Sequence, residues 1–396
     1  MRKFLRFSPQ TILLLGILLI AASLRAPFTV LPALLGPIAS DFNLSSVGAG
    51  ALTTLPLIAF ALISPFGGRI AAGVGLERAL TVSLVAIIMG IGLRSGGSAW
   101  SLFFGTAVIG VGIAIANVLL PSLVKRDFPL HVASLTGAYV LAMNVAAGIG
   151  SATVIPMSQA LSWRGALACF AVLPIVAVVV WFRQSGSRSR ASADTSAVAS
   201  AGPIWRSPLA WQVTLFLGLN STINYVILGW LPAILIDSGV SPAQAGSTHG
   251  MFLLASAIPA LCMGALLRRL RDQRGVAVCT SLLAVTSLLG LLFLPHYALF
   301  WAVLFGIGNG AGFVLGLSFI ALRASNARQA AALSGMAQCV GYSIAAAGPV
   351  IAGALHDVSA SWWPPLLLCA TLGIIQSFIA VRAGRDRHIG VPEPRG

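Results

Sequence analysis

The sequence contains few charged residues, and acidic residues are the scarcest of them. Asp, Glu, Lys and Arg make up 8% of 396 residues, with 9 acids against 24 bases, whereas 58% of the residues are hydrophobic. A soluble domain needs far more polar surface, so this composition excludes a soluble globular protein. In a bilayer every backbone N–H and C=O needs an internal partner, which leaves helices or closed barrels. The apolar runs are continuous rather than alternating, so the sequence predicts an all-α membrane protein.

Cysteine is also scarce, and no motif for a cofactor stands out. The five cysteines are never in close pairs and all fall inside predicted spans, at positions Cys169, Cys262, Cys279, Cys339 and Cys369. This spacing excludes a disulfide framework or cysteine metal site and predicts small buried apolar side chains. The glycine-rich run 306–312 could suggest a phosphate loop, but no strand precedes it, so close helix packing is the better interpretation. We predict no cofactor and no metal.

Hydropathy divides the chain into twelve transmembrane helices. The predicted spans are 10–37, 46–68, 78–97, 100–122, 133–158, 163–182, 209–236, 242–267, 276–295, 298–321, 330–355 and 361–381. An even number of spans places both termini on one side. That side carries 21 of the 24 basic residues, while Arg94 and Arg164 lie opposite and Arg25 lies inside span 1. The positive-inside rule therefore predicts cytoplasmic termini, and the positive charge indicates contact with the lipid bilayer rather than with nucleic acid.

A weak internal repeat predicts two similar halves. Residues 31–35 (LPALL) return as 231–235 (LPAIL), and Leu135-Thr136-Gly137 returns as Leu333-Ser334-Gly335. Between the halves, a polar stretch rich in Ser, Ala, Arg and Gly cannot bury enough apolar area to fold alone. We therefore divide the chain into a six-helix bundle at 1–183, a cytoplasmic linker at 184–208, a second six-helix bundle at 209–383 and a tail at 384–396. A six-plus-six duplication is the organisation of major facilitator transporters, whose substrate site lies between the halves.

Polar residues inside the spans mark the interior of the bundle, because they are costly in lipid. They predict that spans 1, 4, 5, 7, 8, 10 and 11 face a hydrated cavity and that spans 3, 6, 9 and 12 form an outer layer. The predicted substrate-binding residues are Arg25, Thr29, Asn117, Asn144, Asn220, Asn224, Gln338 and Tyr342. Asn220 with Asn224, and Gln338 with Tyr342, are four residues apart, so each pair could line the cavity or join two helices. His249 is either a satisfied core histidine or a proton carrier.

Arg25 is the most informative of these residues. It lies near the middle of span 1, followed by Pro27, and a charge at that depth costs roughly 2.5–3.5 kcal/mol. All nine acids fall in loops, span ends or tails. Arg25 is therefore held by backbone dipoles, such as the Ser23 carbonyl that Pro27 leaves without a donor, or it meets a ligand. A guanidinium suits a planar group with two acceptor oxygens, or a small anion.

The chain resembles the cyanate/2-nitroimidazole transporter family of the major facilitator superfamily over nearly its full length. The residues that carry this are Leu24-Arg25 with Thr29, residues 52–56 (LTTLP), Leu120-Pro121 with Lys125-Arg126, residues 206–211 (RSPLAW), 229–232 (GWLP) and 332–338 (ALSGMAQ). The stretches in spans 7 and 11 favour the 2-nitroimidazole members. One departure concerns the loop after span 2, where Ala72 occupies the position that usually holds an acid. That loop therefore lacks the carboxylate that often stabilises the outward-facing state of such transporters.

The resemblance implies a monomeric secondary transporter in the bacterial inner membrane. Its cargo would be a small polar anionic or nitro-bearing molecule, moved by alternating access and outward from the cell. The alternatives are uptake of a small anion such as cyanate, and a channel. A membrane enzyme is not expected, because the spans contain no Ser/His, metal-ligand or carboxylate cluster.

Overall fold

The computed structural model describes residues 9–63, 66, 70, 73–128, 130–182, 202–270, 272–325 and 327–389. This part of the chain is helical and contains no strand. Its α-helices are Pro9–Thr29, Leu35–Phe42, Ser46–Ile63, Leu76–Arg94, Ala99–Asp127, Val132–Cys169, Val172–Phe182, Gly202–Trp205, Pro208–Asp237, Pro242–Ala255, Ile258–Arg269, Arg274–Phe293, Ala298–Arg323, Ala327–Ser359 and Trp363–Ala383. Short 3₁₀ turns occur at Pro32–Leu34 and Pro295–Tyr297.

Eleven segments of the described chain are long and apolar enough to cross a membrane, and one of them crosses twice. The segment Ser134–Phe182 has 49 residues, which would extend about 74 Å if straight, more than twice a bilayer core. It turns at Ser162, where φ is 61°. Beyond the turn, Trp163 Nε1 donates to Asp41 at 2.6 Å and Trp181 Nε1 donates to the Glu77 carbonyl at 3.2 Å. Since Asp41 lies at the end of span 1 and Glu77 at the start of span 3, residues 163–182 cross the bilayer, and the described part of the chain makes twelve crossings.

We number these crossings spans 1 to 12 in chain order. Spans 1 and 8 are each built from two helices: span 1 breaks at the 3₁₀ turn Pro32–Leu34, and span 8 breaks between Ala255 and Ile258. Span 5 is residues 132–161 and span 6 is 163–182. The side on which span 1 begins and span 12 ends is called the terminal side, and the opposite one the far side.

Glycines allow close packing between spans, as the run 306–312 of span 10 illustrates. A Cβ on Gly306 would lie 2.6 Å from the Phe252 carbonyl oxygen of span 8, and one on Gly308 would lie 3.0 Å from the Ala284 nitrogen of span 9. A Cβ on Gly312 would collide with Asn220 of span 7. The run therefore lets span 10 approach three other spans closely, in agreement with the close helix packing predicted from the sequence.

Spans 3, 6, 9 and 12 form an outer layer with large apolar side chains on its surface. Val82, Val179, Leu282 and Phe378 are exposed, each on a different one of these spans. Such surfaces suit lipid rather than water. The cysteines depart from the expectation of burial: only Cys369 is buried, Cys169 is half-buried and the other three are exposed. They remain small and unpaired, but they mostly lie on helix surfaces.

The two halves meet on the far side at two interfaces, one between spans 2 and 11 and one between spans 5 and 8. In the first, the backbone N–H groups of Ser46 and Val47 donate to the Asp357 carboxylate at 3.1 Å. Closer to the middle, Thr54 Oγ1 donates to the Ala346 carbonyl at 3.0 Å. The carboxylate thus caps the start of span 2 across the boundary between the halves.

Several sequence predictions fall on residues outside the described part. They concern the N-terminal basic residues, Ala72 of the loop after span 2, positions 184–201 of the linker and positions 390–396 of the tail. The boundaries of the two halves and of the linker stay predictions. By contrast, Arg94, which counted only as a far-side base, is described and is fully buried.

Candidate functional site

A cavity of about 510 Å³ lies between the two halves. Its lining comes from spans 1, 2, 4, 5, 7, 8, 10 and 11, and spans 3, 6, 9 and 12 contribute no residue to it. This is the partition that polar residues indicated, with span 2 added through Phe60. The lining reaches Thr136, close to the terminal-side start of span 5, and Pro121, close to the terminal-side end of span 4. The cavity therefore lies on the terminal side of the contacts that join the halves.

Six of the predicted residues line this cavity: Arg25, Asn117, Asn144, Asn224, Gln338 and Tyr342. Asn144 and Gln338 are tethered, because Asn144 Nδ2 donates to the Val140 carbonyl at 2.9 Å and Gln338 Nε2 donates to Ser334 Oγ at 2.9 Å. Asn144 Oδ1 also accepts from Ser256 Oγ of the other half at 3.4 Å. Asn117 and Asn224 carry no such tether to the described residues, so their amides are free to meet a ligand.

Three predicted residues lie away from the cavity lining. Thr29 is fully buried, and its hydroxyl donates to the Arg25 carbonyl at 3.1 Å. Its position one turn from Arg25 suggested a shared face, but a β-hydroxyl on a helix readily bonds the preceding turn instead. His249 is also fully buried, with Nδ1 2.6 Å from Ser151 Oγ. That contact joins spans 5 and 8, while Nε2 is buried without a hydrogen-bond partner among the described residues, so His249 is satisfied at one ring nitrogen only.

Asn220 joins helices instead of lining the cavity. Its Nδ2 donates to the Asn309 carbonyl at 3.2 Å, and Asn309 Nδ2 donates to the Asn220 carbonyl at 3.1 Å. Gln376 Nε2 donates to Asn220 Oδ1 at 3.1 Å. These bonds connect spans 7, 10 and 12 inside the second half. The pair Asn220 and Asn224 is thus divided, with one amide structural and the other at the cavity.

Arg25 enters the cavity without a counter-ion. Among the described residues it makes no hydrogen bond or ion pair, and its Nε is buried without a partner. None of the described acids pairs with Arg25, and Asp237, at the far-side end of span 7, is exposed. The others are engaged elsewhere: Asp41 with Trp163 and Arg164, Glu77 and Asp127 with Arg126, Asp272 with Arg274, Asp357 with the start of span 2, and Asp386 with Arg323. A charge held this way in a low-dielectric site is available to an anionic or acceptor-rich ligand.

Aromatic side chains beside Arg25 were missed by the sequence analysis. Phe28 and Tyr225 have ring centroids 6.2 Å apart, Tyr225 and Tyr342 6.5 Å, and Tyr342 and Phe60 5.9 Å. These four rings, the aromatic row, all line the cavity and come from both halves. Only Tyr342 was predicted, because an aromatic ring in an apolar span gives no signal that separates a cavity wall from a core. The row offers flat apolar surface to a planar ligand.

Comparisons with known proteins agree with this architecture. The family model described as Major Facilitator Superfamily matches residues 13–346 and 218–395. The chain is 51% identical to the 2-nitroimidazole transporter of Escherichia coli (strain K12), over 96% of this chain and 97% of that protein. It is 28% identical to the cyanate transport protein CynX of the same organism, over 90% and 94% of the two chains.

Solved structures show the same fold at low sequence identity. A bacterial homologue of the human lysosomal transporter Spinster, in an inward-facing and occupied conformation, has a TM-score of 0.77 at 15% identity and covers 96% of this chain and 98% of that one. A D-xylose–proton symporter has a TM-score of 0.76 at 13% identity, over 96% and 99% of the chains.

Proposed function

The chain belongs to the Major Facilitator Superfamily, and on that premise we propose that it exports a small polar anionic or nitro-bearing molecule by alternating access. The observation that carries this proposal is the unpaired Arg25 guanidinium in the cavity between the halves. A guanidinium presents parallel N–H donors that match two oxygens of a carboxylate or nitro group. The aromatic row would hold the ring of such a cargo, and the free amides of Asn117 and Asn224 would complete the site.

The relatives support the choice of cargo. The E. coli protein named for 2-nitroimidazole is 51% identical, and its named cargo is a planar ring with a two-oxygen group. Arg25 and the aromatic row supply the two complementary features. A second candidate is uptake of a small inorganic anion, which the likeness to the cyanate transport protein favours. Such an anion would bind Arg25, but it has no ring to pack against the aromatic row.

The side on which the cavity lies supports export as the direction of transport. The basic residues accumulate at the terminal side, and by the positive-inside rule this supports our assignment of that side to the cytoplasm of a bacterial inner membrane. The cavity extends toward the same side, while the far side is held shut by Asp357, His249 and their partners. In this conformation cargo would load from the cytoplasm. Rocking of the halves 1–183 and 209–383 about the cavity, tethered by 184–208, would then expose it on the far side.

We further propose that the carrier acts as a monomer and leaves its cargo chemically unchanged. The cavity is enclosed by spans of one chain, so one copy provides a complete site. His249 is not needed for cargo binding in this arrangement, and a proton-linked role for it stays a prediction. Recovery of unaltered cargo separates a carrier from an enzyme, and saturable counterflow separates a carrier from a channel.

The test is transport and binding by variants of Arg25. We expect Arg25→Ala to weaken binding of 2-nitroimidazole to the purified protein by roughly 10- to 100-fold, since a hydrogen bond from a charged donor contributes about 1.5–3 kcal/mol. The affinity of Arg25→Lys should lie between those of the wild type and Arg25→Ala, because lysine keeps the positive charge but lacks the paired N–H donors of the guanidinium. Uptake into inverted vesicles should fall in parallel.

The matched control is Arg164→Ala, which removes a half-exposed arginine on the far side, away from the cavity. It should leave binding and transport unchanged. Normal transport by both Arg25 variants would refute the proposed site.

A further inference from the structure

A second arginine, Arg94, is buried in the first half and is hydrogen-bonded to span 1 close to Arg25. Arg94 ends span 3 and is only 1% exposed. Its Nη1 donates to the carbonyl of Pro27 in span 1 at 2.7 Å. Pro27 follows Arg25 by two residues, an axial rise of ~3 Å on a helix. The Arg94 guanidinium is therefore attached to the turn of span 1 that carries Arg25.

This contact is made at a weak point of span 1. The first helix ends at Thr29, so the Pro27 carbonyl lies in the last turn, where carbonyls lack intrahelical donors. Arg94 supplies a donor there. A neutral amide or hydroxyl could serve that purpose equally well, so the hydrogen bond alone does not explain a buried positive charge.

The charge of Arg94 is poorly compensated. Its Nε and Nη2 are buried without hydrogen-bond partners. Among the described residues, its compensation consists of dipoles: the Pro27 carbonyl and the carbonyl end of its own helix. The described acids of the first half, Asp41, Glu77 and Asp127, pair with Arg164 or Arg126 instead. The interior of this half thus holds two cations, Arg25 and Arg94, and no acid paired with either.

We propose that Arg94 is a specificity-determining residue whose uncompensated charge makes the cavity select negatively charged cargo over neutral cargo of the same shape. The inference rests on the proposed function, because it assigns the ionic form of the cargo that Arg25 binds. Arg94 does not line the cavity, so it acts through its electric field and through its hold on span 1. In a low-dielectric interior such a field is weakly screened and extends over several ångströms.

The physical reason separates carboxylate from nitro groups. Both are planar and present two oxygens to Arg25, so they fit the site alike in shape and stacking, and the negative charge is what separates them. Only the carboxylate carries a full negative charge, and only it gains from a second cation that it does not touch. A shift of Arg25 caused by loss of the Pro27 contact would weaken both ligands, whereas loss of the Arg94 field alone would weaken only the carboxylate.

The experiment compares benzoate with nitrobenzene, which share a ring and a two-oxygen group, on the purified full-length protein. We expect the wild type to bind benzoate at least ~10-fold more tightly, and Arg94→Gln to reduce that ratio by about fivefold while the Kd for nitrobenzene stays constant. Arg94→Lys, which keeps the charge, should retain the wild-type ratio. Arg164→Gln, a half-exposed arginine distant from the cavity, is the matched control for loss of charge.

A benzoate-to-nitrobenzene ratio that Arg94→Gln leaves unchanged would overturn the inference, and so would an equal loss for both ligands. The proposed function would survive either result, since it fails only if removal of Arg25 leaves binding intact. If Arg94→Gln does not fold, Arg25→Gln decides instead. In that variant the Arg94 charge remains, so the protein should still bind benzoate more tightly than nitrobenzene. Equal affinities for the two ligands would refute the inference.

Discussion

Arg94 in the first half and Arg323 in the second are both buried to 1% exposure, yet their surroundings differ completely. Arg323 Nε donates to the Ala383 carbonyl at 3.0 Å, and Nη2 donates to Gln273 Oε1 at 2.6 Å and to the Gly384 carbonyl at 3.0 Å. Arg94 has one carbonyl and two unpartnered nitrogens. A satisfied buried arginine holds helix ends together, whereas an unsatisfied one retains its field for another purpose.

The halves also differ in how they pair the arginine at the terminal-side end of the fourth span. In the first half Arg126 pairs with Glu77 at 2.7 Å and with Asp127 at 2.9 Å, and the hydrogen bond to Asp127 raises the pKa of Arg126. In the second half Arg323 donates to the neutral Gln273 and lies 3.8 Å from the Asp386 carboxylate. Burial lowers the pKa of Arg323, and the carboxylates of Asp386 and Asp272 oppose that shift. Duplication preserved the arginine, while its partner changed.

The largest expected effect is loss of stability on Arg323→Met. The change removes the donor to the Ala383 carbonyl and the charged donor to Gln273 Oε1, while the Gly384 carbonyl keeps the Gln273 N–H at 3.3 Å. An unsatisfied buried acceptor costs about 1–3 kcal/mol. We expect the melting temperature in detergent to fall markedly, with cargo affinity of the folded fraction unchanged. Fluorescence-detected size-exclusion chromatography after heating measures this. A melting temperature equal to that of wild type would show that the hydrogen bonds of Arg323 do not stabilise the protein.

Arg94→Met should have a smaller and opposite effect on stability. Replacing a poorly compensated buried charge by an apolar side chain of similar size is often neutral or stabilising. The melting temperature is expected to equal or exceed that of wild type, while affinity for benzoate falls. A drop as large as that of Arg323→Met would remove the distinction between the two arginines.

Exchange of the partners should give the smallest changes. Glu77→Gln is expected to cost less than about 1 kcal/mol, because Arg126 is partly exposed and keeps Asp127. Gln273→Glu turns the 2.6 Å contact with Arg323 into a charge-assisted bond and should stabilise the protein at neutral pH. A carboxylate paired in this way has a lowered pKa in the folded state, so its contribution should disappear as the pH falls through that value. Melting curves at pH 7 and pH 4 test the sign.

Much of the architecture could be predicted from the sequence. Twelve spans, the outer layer of spans 3, 6, 9 and 12 and the tight glycine packing all follow from hydropathy and residue type, since the bilayer imposes one solvent on every span. The expected break between spans 5 and 6 is confirmed at Ser162. Arg25 also stood out, because an unpaired charge at that depth is rare enough to be informative by itself.

The fate of individual polar side chains could not be predicted. Asn220 and Asn224 share a helical face, but only the structure shows that the Asn220 side chain is hydrogen-bonded to Asn309 and Gln376. Phe28 and Phe60 carry no polar atom that would single them out in the sequence, and only the structure shows that they line the cavity between the halves. Arg94 counted as a far-side base because it ends its span, and only packing shows that its side chain turns inward.

The membrane environment, the number of crossings, the twofold organisation and one buried guanidinium follow from hydropathy and residue type, because lipid penalises polar groups whatever their neighbours. Which of those polar groups find partners depends on how the spans pack. That packing depends on contacts between spans far apart in the chain, such as Arg94 with Pro27 and Arg323 with Gln273, which no local pattern encodes.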